Sequence, residues 1–198
     1  MRRALMVIAV VLVAASPALA QQTQSFGWED GTTTVVSTYP DPDSILSTNV
    51  GAPDPVQSGS RSLRLEDNAA SGTPQVYIAW IAGLTDGDEV TASFWRYDDT
   101  PGAAPSCRIW GHWNDDPGDI TGYDGSAGGN DDYGPGTGWD QTSHTWTVAD
   151  GHTGLVIEVR TYSSDGDTVW IDDLEVTIPD TAVFQDMVPV ELTAFSVE

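Results

Sequence analysis

Short runs of β-branched and aromatic residues recur along this chain, and Gly, Pro, Asp or Asn separates each run from the next. No segment has the apolar period of an amphipathic helix, so the pattern is typical of an all-β protein. Eight or nine strands of this kind predict a sandwich of two sheets. The predicted strands are Ser25–Glu29, Thr32–Thr38, Ser62–Asp67, Gln75–Ile81, Glu89–Tyr97, Ser106–Trp113, Gln141–Val148, Leu155–Tyr162 and Thr168–Thr177.

The last predicted strand contains two adjacent carboxylates, Asp172 and Asp173, in the otherwise apolar sequence DGDTVWIDDLEV at positions 165–176. An unpaired buried carboxylate is costly, so this pair requires a cation, a dense set of N–H donors or a turn towards water. The chain has no Lys and few Arg. Side-chain cations are therefore scarce partners for these two residues.

The two ends of the chain differ in composition from its middle. Residues 1–20 hold Arg2 and Arg3, an apolar run and small residues up to Ala20, which predicts a secretory signal peptide and no membrane span. We assign residues 21–178 to the sandwich and 179–198 to a linker or the start of a truncated sorting region.

The sequence MVPVELTAFSVE at 187–198 resembles the junction before type IX secretion sorting domains. That resemblance implies a protein secreted, extracellular or at the cell surface, in a Gram-negative bacterium, and a longer parent with further domains.

The chain is strongly acidic, with 30 Asp and Glu against 7 Lys and Arg and a net charge of −23. This charge argues against nucleic acid as a partner. The acidity serves solubility, calcium binding at some carboxylates, or both.

Cys107 is the single cysteine, so no intramolecular disulfide can form, and its position in an alternating strand predicts a small core residue.

Three predicted strands share a pattern of one apolar and one polar, aromatic face. Val90, Ala92 and Phe94 share a face, as do Cys107 and Ile109 in the next strand, and Leu155, Ile157 and Val159 form a third. If the three strands are neighbours in one sheet, their outer faces form one aromatic patch for a sugar ring and its hydroxyls. Alternatively, Trp95 or Trp110 lies in the core and the register is shifted by one residue. The predicted ligand-binding residues are Trp95, Tyr97, Arg108, Trp110, His112, Glu158, Arg160 and Tyr162.

Four short motifs, at 26–31, 58–65, 89–95 and 169–176, read FGWEDG, SGSRSLRL, EVTASFW and VWIDDLEV. In this order they resemble the jelly-roll carbohydrate-binding modules that accompany xylanases and glucanases. The resemblance implies a two-sheet antiparallel jelly-roll β-sandwich. It also implies a structural calcium between the first and last strands, with Glu29 and either Asp172 or Asp173 as metal ligands. Without calcium, one Asp faces solvent and the other caps a bulge.

We therefore expect a secreted, non-catalytic module that binds polysaccharide on an aromatic concave sheet, with structural calcium. One alternative is a structural or adhesive domain of a surface protein that calcium stabilises. Another is a jelly-roll polysaccharide lyase, because Arg108, His112, Arg160 and Tyr162 have the required residue types. The acidic chain would repel a polyuronate substrate. The loop Asn114–Asp140 has seven Asp and eight Gly, and we expect its carboxylates to shape a rim over the sheet, with a second calcium there.

Overall fold

The computed structural model describes residues 20–33, 35–99, 107–134, 136–161 and 166–187. Twelve strands lie within these ranges, and the described residues include no helix long and apolar enough to cross a membrane. The strands are β1 Gln21–Phe26, β2 Ser37–Tyr39, β3 Ile45–Val50, β4 Ser62–Asp67, β5 Gln75–Ala82, β6 Glu89–Asp98, β7 Arg108–Trp113, β8 Gly125–Gly129, β9 Gly138–Thr147, β10 Gly154–Arg160, β11 Thr168–Pro179 and β12 Val183–Met187.

The strands form two six-stranded sheets with antiparallel pairing. The first sheet has the order β3-β4-β11-β6-β9, with β1 beside β11, and the second has the order β12-β5-β10-β7-β8, with β2 beside β5. Strand β11 pairs with β6 along one edge, and with β4 and then β1 along the other. The predicted two-sheet antiparallel jelly-roll β-sandwich is confirmed.

The core lies between the two sheets, where alternate residues of each strand meet. Phe94, Ile109 and Ile157 are fully buried there, since the pleat points them inwards. Cys107 is also fully buried and free, as the sequence predicts. The predicted core face of each of the three strands is therefore correct.

The predicted strand boundaries agree best where alternation is strong. Strand β4 matches its prediction, whereas the run predicted as Thr32–Thr38 contains only the start of β2, and β3, β8 and β12 were not predicted. Strand β12 pairs with β5, so the second sheet continues beyond the boundary expected at residue 178. The predicted signal peptide up to residue 19 and the tail from 188 onwards lie outside the described residues.

Candidate functional site

Five predicted ligand-binding residues lie together on the outer face of the second sheet. Strands β7 and β10 are neighbours, and Trp110 lies opposite Glu158 while Arg108 lies opposite Arg160. His112 follows on the same face of β7, opposite Val156. The sequence prediction that these two strands share an aromatic and charged face is therefore supported by the register.

Trp95 and Tyr97 are not part of this face, so the assumption that β6 shares a sheet with β7 and β10 is wrong. Strand β6 belongs to the first sheet, where Tyr97 lies opposite Trp139 on one side and Trp170 on the other. The ring centroids of Tyr97 and Trp139 are 5.4 Å apart, and those of Tyr97 and Trp170 are 5.6 Å apart. The predicted single patch is thus divided between opposite faces of the sandwich. Tyr162 lies outside the described residues.

Trp110 supports two arginines. The guanidinium carbon of Arg108 lies 4.3 Å from the Trp110 ring centroid and that of Arg160 lies 4.9 Å from it. The indole N–H donates to the Ser126 hydroxyl at 3.0 Å. Because cations already pack on this ring, Trp110 stabilises the arginines by cation–π contact rather than presenting a bare platform.

A polar chain of three residues lies at this face, with two buried members, His112 and Glu158, and a partly exposed one, Arg160. Glu158 is fully buried, accepts a hydrogen bond from Arg160 Nε at 2.6 Å and contacts His112 Nδ1. His112 is itself buried, between the rings of Tyr77 and Tyr123 at centroid distances of 5.1 and 5.6 Å. A buried carboxylate needs such partners. Glu158 therefore fixes both the imidazole and the guanidinium.

Strand β10 was expected to expose the face that carries Val156 and Glu158. Both residues point away from the main core, yet both are fully buried. Val156 packs with Tyr77 and Trp80 in a second apolar cluster, which Ile120 from the acidic loop covers. The predicted direction of the side chains is correct. Val36 and Ile120 pack on the cluster that contains Val156, and His112 and Arg160 contact Glu158, which removes their exposure.

A groove of about 460 Å³ opens beside this cluster. Its volume is within the range of small-ligand sites, and aromatic rings with a few polar groups are their usual lining. Burial, with a smaller contribution from the Glu158 carboxylate, raises the pKa of Tyr77 to about 12, so its phenol stays protonated and can donate. The lining residues are Tyr39, Gln75, Tyr77, Thr121, Tyr123 and Arg160.

Of the groove residues, only Arg160 was among the predicted ligand-binding residues. Tyr39 is 53% exposed and Tyr123 is 64% exposed, which is unusual for large aromatic rings. Tyr39 is the last residue of β2 and Tyr123 lies in a loop, and both are outside the predicted strands. An aromatic residue beside turn-forming residues is the signal that could have identified them. Tyr77 lies in a predicted strand, but a bulge in the β5–β10 pairing interrupts the alternation of that strand. The face on which the Tyr77 side chain lies could therefore not be predicted from alternation.

The two in-strand carboxylates lie on the first sheet, away from the groove. Asp172 is fully buried, and its Oδ2 accepts hydrogen bonds from the backbone amides of Gln57 at 3.0 Å and Ser58 at 3.2 Å. Its Oδ1 accepts from the Asp173 amide at 2.8 Å. Burial raises the pKa of Asp172 to about 6, although these amides act in the opposite direction. Of the three partners that the sequence required, the structure provides N–H donors.

Glu29 and Asp173 hold the same loop. The Glu29 carboxylate accepts from the backbone amides of Ser60 and Arg61, both at 2.9 Å, and Asp173 Oδ1 accepts from the Ser58 hydroxyl at 2.8 Å. Burial opposes ionisation of Glu29, but the hydrogen bonds from Ser60 and Arg61 hold its pKa below the usual value. Asp173 has a φ of 48° where the register of β11 and β6 shifts, so it occupies a β-bulge.

The three predicted metal ligands converge on Gly27. A methyl group placed there would lie 3.6 Å from an Asp173 oxygen, 3.7 Å from an Asp172 oxygen and 3.9 Å from Glu29 Cγ. Calcium prefers such oxygen ligands. Within the described ranges, however, no three His, Cys, Asp or Glu side chains are arranged to hold a metal ion. All three carboxylates already accept hydrogen bonds, so an ion beside Gly27 would have to replace some of these bonds, including those from Ser60 and Arg61 to Glu29.

Comparisons with known proteins establish the fold. No family model and no curated protein matches the chain. It is similar to the CBM22-1 xylan-binding domain of Paenibacillus barcinonensis Xyn10C, with 16% identity and a TM-score of 0.54 over 82% of this chain and 97% of that one. It is also similar to the K3 cleaved adhesin domain of Lys-gingipain from Porphyromonas gingivalis W83, with 12% identity and a TM-score of 0.52 over 80% and 99%.

Proposed function

We propose that the chain is a non-catalytic module that binds a neutral polysaccharide in the groove on the outer face of its second sheet. The observation that carries this proposal is the presence of three tyrosine rings, Tyr39, Tyr77 and Tyr123, around one open groove. A pyranose has a flat, weakly apolar C–H face that aromatic rings cover, and a rim of hydroxyls. Gln75, Thr121 and Arg160 line the same groove and supply donors and acceptors for that rim.

Charge favours a neutral glycan over an acidic one. The Arg160 guanidinium is held by the Glu158 carboxylate at 2.6 Å, and Arg108 is paired with Asp131 at 2.6 Å. The two cations of this face are thus compensated, and the chain carries a net charge of −23. Long-range repulsion would slow the approach of a polyuronate. Arg160 therefore acts as a hydrogen-bond donor to hydroxyls rather than as a counter-ion.

The fold comparisons are compatible with two functions, because a xylan-binding domain and an adhesin domain resemble the chain about equally well. One fold supports many functions, so the site must decide between them. An adhesive domain with no small ligand gives no reason for two exposed tyrosines around a groove whose Arg160 is held by the buried His112 and Glu158. The groove therefore favours the glycan-binding function.

We further propose that calcium is a structural cofactor beside Gly27. Support comes from two adjacent carboxylates, Asp172 and Asp173, of which the first is fully buried with a raised pKa. A hard cation would stabilise both in their charged forms. Glu29 would complete the ligand set by exchanging its hydrogen bonds to Ser60 and Arg61 for the ion.

The predicted signal peptide at residues 1–20 suits this function, because cell-wall polysaccharides lie outside the cytoplasm. Export therefore forms part of the proposal. The resemblance of the tail to a type IX junction stays a prediction.

Affinity electrophoresis tests the proposed function. Gels that contain soluble xylan, galactan, mannan or β-glucan should retard the wild-type protein in at least one case, and a polyuronate gel should not. Tyr123→Ala should weaken the retardation strongly, while Leu46→Ala, which removes another exposed apolar side chain from the first sheet, should leave it unchanged. Absence of retardation by every neutral polysaccharide contradicts the proposal. Unsaturated products from an acidic glycan would instead support a lyase.

A further inference from the structure

One wall of the groove is built by the loop of residues 114–124, between β7 and β8. Thr121 and Tyr123 of this loop line the groove, and Ile120 packs on the apolar cluster at its floor. The two ends of the loop meet, since the Asp124 amide donates to the Trp113 carbonyl at 2.9 Å and the Asp115 amide donates to Asp124 Oδ2 at 2.8 Å. The loop is therefore closed at its base.

The inside of the loop is also organised. The Asn114 side chain, which is buried, donates to the Asp119 carbonyl at 2.8 Å and accepts from the Asp116 amide at 3.2 Å. Asp119 in turn accepts from the Thr121 amide at 2.9 Å. These contacts define the shape of the loop, but they do not determine its position on the sheet.

Asp115 supplies contacts to the sheet. Its Oδ1 accepts from the backbone amides of Thr153 at 2.6 Å and Gly154 at 3.3 Å, at the start of β10. Its Oδ2 lies 2.9 Å from His152 Nδ1, and the His152 ring stacks on Trp113 at 4.8 Å and 12°. Burial opposes ionisation, yet the bonds from Thr153 and His152 hold the pKa of Asp115 below its usual value. Hydrogen bonds to a charged acceptor are the stronger kind.

We propose that Asp115 is the positioning residue of the glycan groove: it ties the loop of residues 114–124 to the start of β10 and so sets the location of Thr121 and Tyr123. This inference rests on the proposed function. Other contacts also join the loop to the second sheet: the Asn114 amide donates to the Gly154 carbonyl at 3.1 Å, Ile120 packs on the apolar cluster, and the Gln185 side chain donates to the Pro117 carbonyl at 2.9 Å. These hydrogen bonds are neutral, whereas Asp115 accepts several hydrogen bonds with a charged carboxylate and so provides the stronger polar anchor.

The test combines hydrogen–deuterium exchange of the loop amides with titration of soluble neutral xylan by calorimetry. Asp115→Ala should speed exchange across residues 116–124 and weaken binding at least tenfold. Asp115→Asn should restore both in part, because its side-chain carbonyl can still accept from the Thr153 amide but carries no charge. Asp86→Ala is the matched control: Asp86 accepts from the Gly151 amide at 2.8 Å in the same β9–β10 turn but does not bind the loop.

Exchange and binding in Asp86→Ala should stay within twofold of wild type. Unchanged loop exchange in Asp115→Ala overturns the inference, and so does faster exchange with unchanged xylan affinity. If the wild-type protein binds neither xylan nor any other neutral polysaccharide, the proposed function is wrong. In that case the exchange comparison alone decides whether Asp115 anchors the loop, so the two failures are distinguishable.

Discussion

Protonation of Asp172 should make the calcium-free protein more stable in mild acid than at neutral pH. The group is fully buried, and its pKa is raised from 3.8 to about 6. A folded-state pKa above the unfolded value means that the folded protein holds the proton more tightly. The resulting stabilisation is complete below the unfolded pKa and is lost as pH rises through the folded pKa.

The magnitude follows from the size of the shift. A change from 3.8 to about 6 corresponds to about 3 kcal/mol over the full range, at about 1.4 kcal/mol per pKa unit. Between about pH 5 and about pH 7.5 the unfolded carboxyl is already ionised, so this interval should contain about 1.4 kcal/mol of the loss. Glu29 and Asp115, with lowered pKa values, act in the opposite direction: any contribution from them over this interval is small and increases stability as pH rises.

Urea denaturation in chelator at several pH values measures this loss, and Asp172→Asn isolates it from the titration of the three histidines. The substitution alters the hydrogen bonds from Gln57 and Ser58 equally at every pH. It therefore shifts the whole plot of unfolding free energy against pH without changing the slope of that plot. The wild-type protein should lose about 1.4 kcal/mol more than the variant between the two pH values. Asp180→Asn, at an exposed carboxylate, should follow the wild type. Equal pH dependence in the wild type and Asp172→Asn would refute the reasoning.

Two further predictions concern calcium and a buried arginine. Excess calcium should raise the melting temperature at about pH 7.5, and should raise it less at about pH 5, because the ion requires ionised Asp172. Scanning calorimetry measures this shift. No shift in the wild type, or an equal shift in Asp172→Asn, contradicts the calcium proposal. Arg96 is 1% exposed, and donates to Asp140 at 2.8 Å and to the Cys107 carbonyl at 2.5 Å. Arg96→Met should cost about 3–5 kcal/mol in urea denaturation because these acceptors lose their partner. Arg64→Met removes a partly exposed pair with Glu66 and should cost about 1 kcal/mol or less; equal costs would count against the role of Arg96.

The strands could be predicted from sequence where one face is buried. Alternation identified β4 and the inward faces of β6, β7 and β10, since a period of two residues is set by the pleat. Strand β8 reads GSAGG and has no apolar alternation, so its pairing with β7 was not predictable from its own residues. Alternation also cannot say which sheet a strand joins, and for this reason β6 was placed beside β7.

The candidate site was predictable only in part. Arg108, Trp110, His112, Glu158 and Arg160 share a face because β7 and β10 are neighbours. The groove itself depends on Tyr39, at the end of the short strand β2, and on Tyr123, in a loop, and long-range contacts bring both to that face. Sequence periodicity carries no information about such contacts. The requirement of Asp172 for a partner was correct, and the amides of Gln57 and Ser58 supply it from a distant loop.

Calorimetric titration of the neutral polysaccharide that the wild-type protein binds best tests the central claim most directly, with Tyr123→Ala and Trp95→Ala compared side by side. Tyr123 is 64% exposed in the groove, and Trp95 lies on the first sheet. If the glycan covers roughly 60 Å² of the Tyr123 ring, removing the ring costs about 1.5 kcal/mol of binding free energy, which corresponds to about a tenfold weaker affinity. The account predicts this loss in Tyr123→Ala and wild-type affinity in Trp95→Ala. Full affinity in Tyr123→Ala, with loss in Trp95→Ala, would place the glycan on the opposite face and contradict it.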